Sequence, residues 1–177
     1  MTVHSHAVAS NCEYKQRWPK MSREFLIFLD FDGVLHSVNA SPPEQFDPIC
    51  IQNANQIVAG LDAKVVISSA WRMEDDDPLM EKLNAWLNQS VVGQTPVHLY
   101  KAGNTHIRYR EVMEYLETHG KRDALWLAID DKAGHFPASV PLYRTDSETG
   151  LTDRDSENVI RMGLAMIWAA CKAIPQT

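Results

Sequence analysis

The chain has 177 residues and a formal charge of −6, with a pI near 5.6; this excludes a generally basic nucleic-acid coat but leaves room for a local basic groove. Hydrophobic residues at 45% and charged residues at 23% are ordinary for a soluble globular protein and exclude an intrinsically disordered one. Cys12, Cys50 and Cys171 are too few and too scattered for a disulfide framework or a zinc site, and they suit a reducing cytoplasm.

Residues 1–20, "MTVHSHAVASNCEYKQRWPK", carry no periodicity and read as a flexible arm in which His4 and His6 are solvated; Met21 is an alternative start. Residues 21–177 read as one domain. "FLIFL" at 25–29 is a continuous apolar run, the pattern of a parallel strand covered on both faces. Asp47 as N-cap and Pro48 at the first helical position start a helix with Ile51, Ala54, Val58 and Leu61 at helical spacing. "KVVIS" at 64–68 is a second buried strand, and a helix follows Pro78 with Leu79, Leu83, Trp86 and Leu87 on one face. "VVGQTPVHLY" reads as a short strand plus loop, and Thr105 to His119 as a helix stopped by Gly120. "ALWLAI" at 124–129 and "VPLYRT" are further strands. A last helix runs from Asp153 to Ala173, capped by Thr152, with Ile160, Leu164, Ile167 and Cys171 inward. Strands alternating with helices predict an α/β fold: a doubly wound, mainly parallel sheet with helices on both faces. The most apolar stretch, "LAMIWAAC" at 164–171, is far too short to span a membrane, and the N-terminus lacks the layout of a secretion signal.

Three of these strands end in polar pairs: Asp30 and Asp32, Ser68 and Ser69, Asp130 and Asp131. Open α/β sheets bind ligands outside the carboxyl ends of their strands, so the three pairs converge on one crevice. Carboxylates as close as Asp30 and Asp32 must be solvated, paired or bound to a cation. Four carboxylates and two hydroxyls suit a hard cation such as Mg²⁺. Singly, each pair is also what an ordinary turn or helix cap contains; together they mark a site.

"FLDFDGVL", "VVISSAWR" and "LWLAIDD" resemble, in order, the first, second and fourth motifs of the haloacid dehalogenase (HAD) superfamily of phosphotransferases, and the likeness covers most of residues 24–173. "SSAWR", "RYREVMEYL" and "TDSETGLT" resemble the HAD branch of Swiss Army Knife RNA repair proteins. The resemblance implies Asp30 as the nucleophile that forms an aspartyl-phosphate, and Asp32 as the group that protonates the leaving oxygen and then activates water. It implies that the Asp32 main-chain carbonyl reaches the metal, that Asp130 binds Mg²⁺ directly, and that Asp131 does so directly or through water. Gly33 permits the tight turn beside phosphate. Ser68, or Ser69 if the register is offset by one, hydrogen-bonds the phosphoryl group.

The basic residue of the third motif has three candidates: Lys101, Arg108 and Arg110. Helical spacing groups Arg108 with Val112, Tyr115 and His119, and Arg110 with Glu114 and Glu117 on a solvent face, which favours Arg108. The competing reading makes Arg108 a surface residue paired with Glu111. Trp71 and Arg72 stand at the expected substrate edge, where Trp stacks on a base and Arg grips a second phosphate, or else Trp packs under the sheet and Arg joins a surface pair. "EDDDP" at 74–78 reads as a helix cap, and His36 as a loop residue without a role.

Only about 30 residues separate Gly33 from Lys64, and about 50 separate Trp71 from Ala124, which leaves no room for a separate cap domain. An open site suits bulky substrates such as nucleic-acid phosphate ends or a phosphoprotein, with no membrane partner. Two rival readings remain: a metal-dependent nuclease, and a catalytically weak HAD scaffold that binds a regulatory partner. The sequence leaves monomer and homodimer equally open.

Overall fold

In a computed structural model, residues 23–40, 46–73, 77–99 and 105–173 are described below. The expected N-terminal arm, Lys101 and the acids at 74–76 lie outside them.

Five strands form one sheet: β1 (Phe25–Leu29), β2 (Lys64–Ile67), β3 (Val91–Gln94), β4 (Leu125–Asp130) and β5 (Leu142–Arg144). Four α-helices accompany them among the described residues: α1 (Pro48–Leu61), α2 (Asp77–Trp86), α3 (Ile107–Thr118) and α4 (Asp153–Lys172). The order across the sheet is β3-β2-β1-β4-β5 and every pairing is parallel. The chain therefore builds outward from β1 in one direction and then in the other, so a crevice opens between β1 and β4 at their carboxyl ends. No cap domain occurs among the described residues, and none of their helices is long and apolar enough to cross a membrane.

Strand alternation divides the apolar runs between two faces. Phe25, Ile27, Leu29, Val65, Ile67, Leu127 and Ile129 meet α1, α2 and α4 on one side. Leu26, Phe28, Val66 and Ala128 meet Val112, Tyr115 and Leu116 of α3 on the other. Covering on both sides explains why the strands carry no polar alternation.

The expected helix starts hold. Asp47 accepts the Ile49 N–H at 2.7 Å before α1, and Thr152 caps α4 reciprocally with Asp155. Ala54, Leu61 and Ile167 are buried as expected, but the rest of the two inward stripes is shifted by about one residue. In α1 the buried positions are Cys50, Asn53, Ala54, Ile57 and Leu61, with Ile51 and Val58 at the margins. In α4 they are Ser156, Val159, Gly163 and Ile167, while Ile160, Leu164 and Cys171 flank the stripe. The cause is close approach of the two helices, which selects small or hydrogen-bonded residues along the contact. A Cβ on Gly163 would stand 2.6 Å from the Leu61 methyls; Ser156 donates to Gln56 at 2.9 Å, and Asn53 to the Leu151 carbonyl at 3.0 Å. Apolarity alone could not locate such a stripe. Trp86 likewise departs from the expected inward face: it is exposed, its ring meeting Phe46 edge to face.

Candidate active site

Register brings the strand-end residues level. Leu29 pairs with Ile67 on one side and with Ile129 on the other. Asp30, Ser68 and Asp130 therefore stand side by side at neighbouring strand ends, fixed by the Asp30 N–H to the Ile129 carbonyl (3.0 Å) and the Ser68 N–H to the Leu29 carbonyl (2.8 Å). Oxygens of Asp30, Asp130 and Asp131 all lie within 4.8 Å of one another, and all three residues are buried. Burial first, and the Asp130 charge second, push the Asp30 carboxyl up to about 7, opposed by Arg108, the Phe31 N–H and the Ser69 hydroxyl. Asp131 is also raised, chiefly by burial, with Lys132 opposing.

Several buried polar atoms here have no hydrogen-bond partner: Asp130 Oδ2, Asp131 Oδ1 and the Ser68 hydroxyl. Unpaired oxygens among crowded acids cost free energy unless something cationic or hydrogen-bonding occupies the space between them. Oxygen donors alone, with mixed carboxylate and hydroxyl character, fit Mg²⁺.

Arg108, on the first turn of α3, is buried and close enough to Asp30 to favour its charged form. It also lies 3.3 Å from Glu111, so the pairing of the competing reading exists, but inside the protein. Arg110 faces solvent.

Arg72 corrects an expectation. Its guanidinium turns inward instead of toward the substrate edge: Nε donates to the Thr95 carbonyl and Nη2 to that of Pro96, both at 3.0 Å. Nη1 donates to the Ser69 carbonyl, and Nη2 meets Glu111 Oε2 at 2.6 Å. With its donors spent on main chain and Glu111, Arg72 anchors the loop after β2 and has no free fork for a phosphate.

Trp71 follows the packed one of its two expected readings. The short helical turn Ala70–Met73 carries it, and its ring stacks on Phe46 with centroids 5.6 Å apart and meets Phe31 edge-on. Its Nε1–H points at both oxygens of Asp32, 3.2 and 3.1 Å away. Its polar handle faces Asp32.

Asp32 thus stands apart from the three clustered acids, with its side chain 37% exposed. Between them Gly33 adopts φ +70, and a Cβ there would come within 2.9 Å of Asp131 Cβ and Cγ. Thr145 donates to the Gly33 carbonyl at 2.7 Å and locks the turn to the end of β5. Gly33→Ala is therefore strained twice, in its backbone and against Asp131, and if the clustered acids take up Mg²⁺ the substitution should weaken that binding about tenfold or more. Titration calorimetry checks this; unchanged affinity would mean that Asp131 moves aside freely.

Two participants escaped the sequence reading, and a third is misplaced by it. His36 is 3% exposed and its Nε2 lies 3.2 Å from Asp32 Oδ1; a strand-like bridge between Asp32 and His36 folds the loop back on itself, which spacing does not reveal. Thr145 is a tertiary contact without a local signal. Glu111 is expected as a surface partner of Arg108; the pairing is there, three residues on, but on the buried face.

Comparison with family models matches residues 26–156 to the HAD domain in Swiss Army Knife RNA repair proteins. No curated protein and no solved structure matches the chain.

Proposed function

The chain belongs to the HAD domain family found in Swiss Army Knife RNA repair proteins, and from that premise we propose that it is a Mg²⁺-dependent phosphomonoester hydrolase. The observation that carries the reading is the convergence of Asp30, Asp130 and Asp131 beside Arg108, with Asp32 held separately two residues after Asp30.

Asp30, Asp130 and Asp131, with the Asp32 main-chain carbonyl, would hold the cation, which supplies positive charge that keeps Asp30 ionised and offsets the charge of the phosphoryl oxygens. Asp30 attacks phosphorus and forms an acyl phosphate as the bond to the ester oxygen breaks. The bonding pair leaves with that oxygen, which takes a proton from Asp32. Asp32, now a carboxylate, removes a proton from water; the water oxygen bonds to phosphorus, and orthophosphate departs with Asp30 restored. Arg108 and the Ser68 hydroxyl contact the non-bridging oxygens. Ser69, which reaches Asp30, orients the nucleophile.

The absence of a cap domain among the described residues supports a bulky phosphorylated substrate, such as a nucleic-acid phosphate end, over a small metabolite that a lid must enclose. Residues 21–177 act in this reading as one catalytic domain, working in the cytoplasm. The test is phosphate release from 3′-phosphorylated and 5′-phosphorylated oligonucleotides and from p-nitrophenyl phosphate, with Mg²⁺ or with EDTA. Release that needs Mg²⁺ and prefers one oligonucleotide end is expected; strand scission without phosphate release would overturn the reading.

A further inference from the structure

The surroundings of Asp32 are more elaborate than a solvated acid requires. A general acid that stands free in water needs no support. Asp32 instead has an indole N–H directed at both of its oxygens and a buried imidazole nitrogen 3.2 Å from Oδ1. The supports are themselves fixed. His36 Nδ1 lies 3.0 Å from the Ser37 carbonyl, an acceptor, so that nitrogen carries the proton and the ring is oriented with Nε2 toward Asp32. His36 packs on Trp71 and Phe46 with ring centroids 5.5 and 6.0 Å away, and Phe31 and Phe46 hold the indole from its other neighbours. Nε2 is buried with no hydrogen bond of good geometry among the described residues, and the Asp32 carboxyl is the acid it faces. An aromatic wall that strands a polar nitrogen costs stability, and a cost of that kind is characteristic of functional sites.

We infer that Trp71 and His36 are positioning residues for Asp32: together they fix its carboxyl in the one orientation from which it passes a proton to the leaving oxygen. The inference rests on the phosphomonoesterase reading and goes beyond it, because it assigns specific work to residues that touch neither metal nor phosphate. It also accounts for Trp71 and Arg72 being neighbours in sequence. Arg72 pins the loop to main-chain carbonyls, and the pinned loop delivers the indole N–H to Asp32.

Leaving-group chemistry separates this role from a merely structural one. An alkoxide must be protonated as it leaves, whereas p-nitrophenolate leaves without help. Trp71→Phe keeps the ring and its stacking but removes the N–H; His36→Leu removes the nitrogen, and His36→Gln restores a polar group at similar reach. The full chain and each variant are assayed with Mg²⁺, comparing kcat/KM on a 3′- or 5′-phosphorylated oligonucleotide with that on p-nitrophenyl phosphate. Trp71→Phe and His36→Leu should lose roughly tenfold or more on the oligonucleotide and stay within about threefold on p-nitrophenyl phosphate, with His36→Gln recovering part of the loss. Equal losses on both substrates, or none on the oligonucleotide, would overturn the positioning role while leaving the phosphatase reading intact. A wild-type chain that releases phosphate from neither substrate would overturn both.

Discussion

Asp30→Asn should cut the proposed phosphate release by several orders of magnitude and at the same time raise the melting temperature of the metal-free protein. The two effects have one source. Burial and the neighbouring Asp130 oppose a charge at Asp30, whose carboxyl stands at about 7 against a usual 3.8. A raised acid binds its proton more tightly in the folded than in the unfolded chain. Between about pH 4 and pH 7 the unfolded state therefore holds fewer protons, and stability falls as pH rises through that window. Asparagine does not titrate, so the variant loses this slope and gains over wild type progressively, by about 5 °C near pH 8. Adding Mg²⁺ should reverse the order, because the variant lacks one of the three clustered acids proposed to hold the cation and so gains less from it. Thermal melts of both proteins at pH 5 and pH 8, with and without Mg²⁺, check the sign. A difference independent of pH would mean that Asp30 is not the strained group. Activity falls by several orders of magnitude, because asparagine cannot attack phosphorus.

How much of this was legible in the sequence depends on whether the cause was local. Continuous apolar runs announced parallel strands, because covering on both faces erases polar alternation, and Asp47, Thr152 and Gly120 marked helix ends through backbone chemistry within a few residues. Asp30, Asp130 and Asp131 were legible because a parallel sheet aligns strand ends whatever the intervening helices do. The residues alone leave Trp71 between packing and stacking on a base, and the inward turn of Arg72 was not legible at all. A residue type states how many donors it has, but not whether Thr95, Pro96 and Ser69 carbonyls from a folded loop will use them. His36 needed the loop closure that bridges it to Asp32. The α1 and α4 stripes were displaced because close helix approach favours Gly163 and Ser156 over larger apolar neighbours, a selection visible only once both helices are in place.

Glu111→Ala should be the most destabilising single change near the site, at about 3–5 kcal/mol. Glu111 is a buried carboxylate shared by two guanidinium groups, with Oε2 2.6 Å from Arg72 and 3.3 Å from Arg108, while Oε1 accepts the His98 N–H at 2.9 Å. Burial, and then the like charge of Arg108, already push the Arg72 pKa below the usual arginine value; Glu111 opposes them. Removing it leaves two buried like charges facing each other and an unpaired main-chain N–H. The consequences then divide. Arg72 remains tied to main-chain carbonyls, but Arg108 keeps no hydrogen bond or close ion pair among the described residues, only the longer-range attraction of Asp30. Arg108 should therefore swing out, and kcat/KM for a phosphomonoester should fall together with stability. Glu111→Gln keeps a hydrogen-bond acceptor while losing the charge, so its destabilisation should lie between wild type and Glu111→Ala. Urea unfolding of the three proteins orders them, and kcat/KM measured well below each midpoint isolates the effect on Arg108. If Glu111→Ala loses stability but keeps full kcat/KM, Glu111 holds only Arg72, and Arg108 is aimed by the geometry of α3 alone.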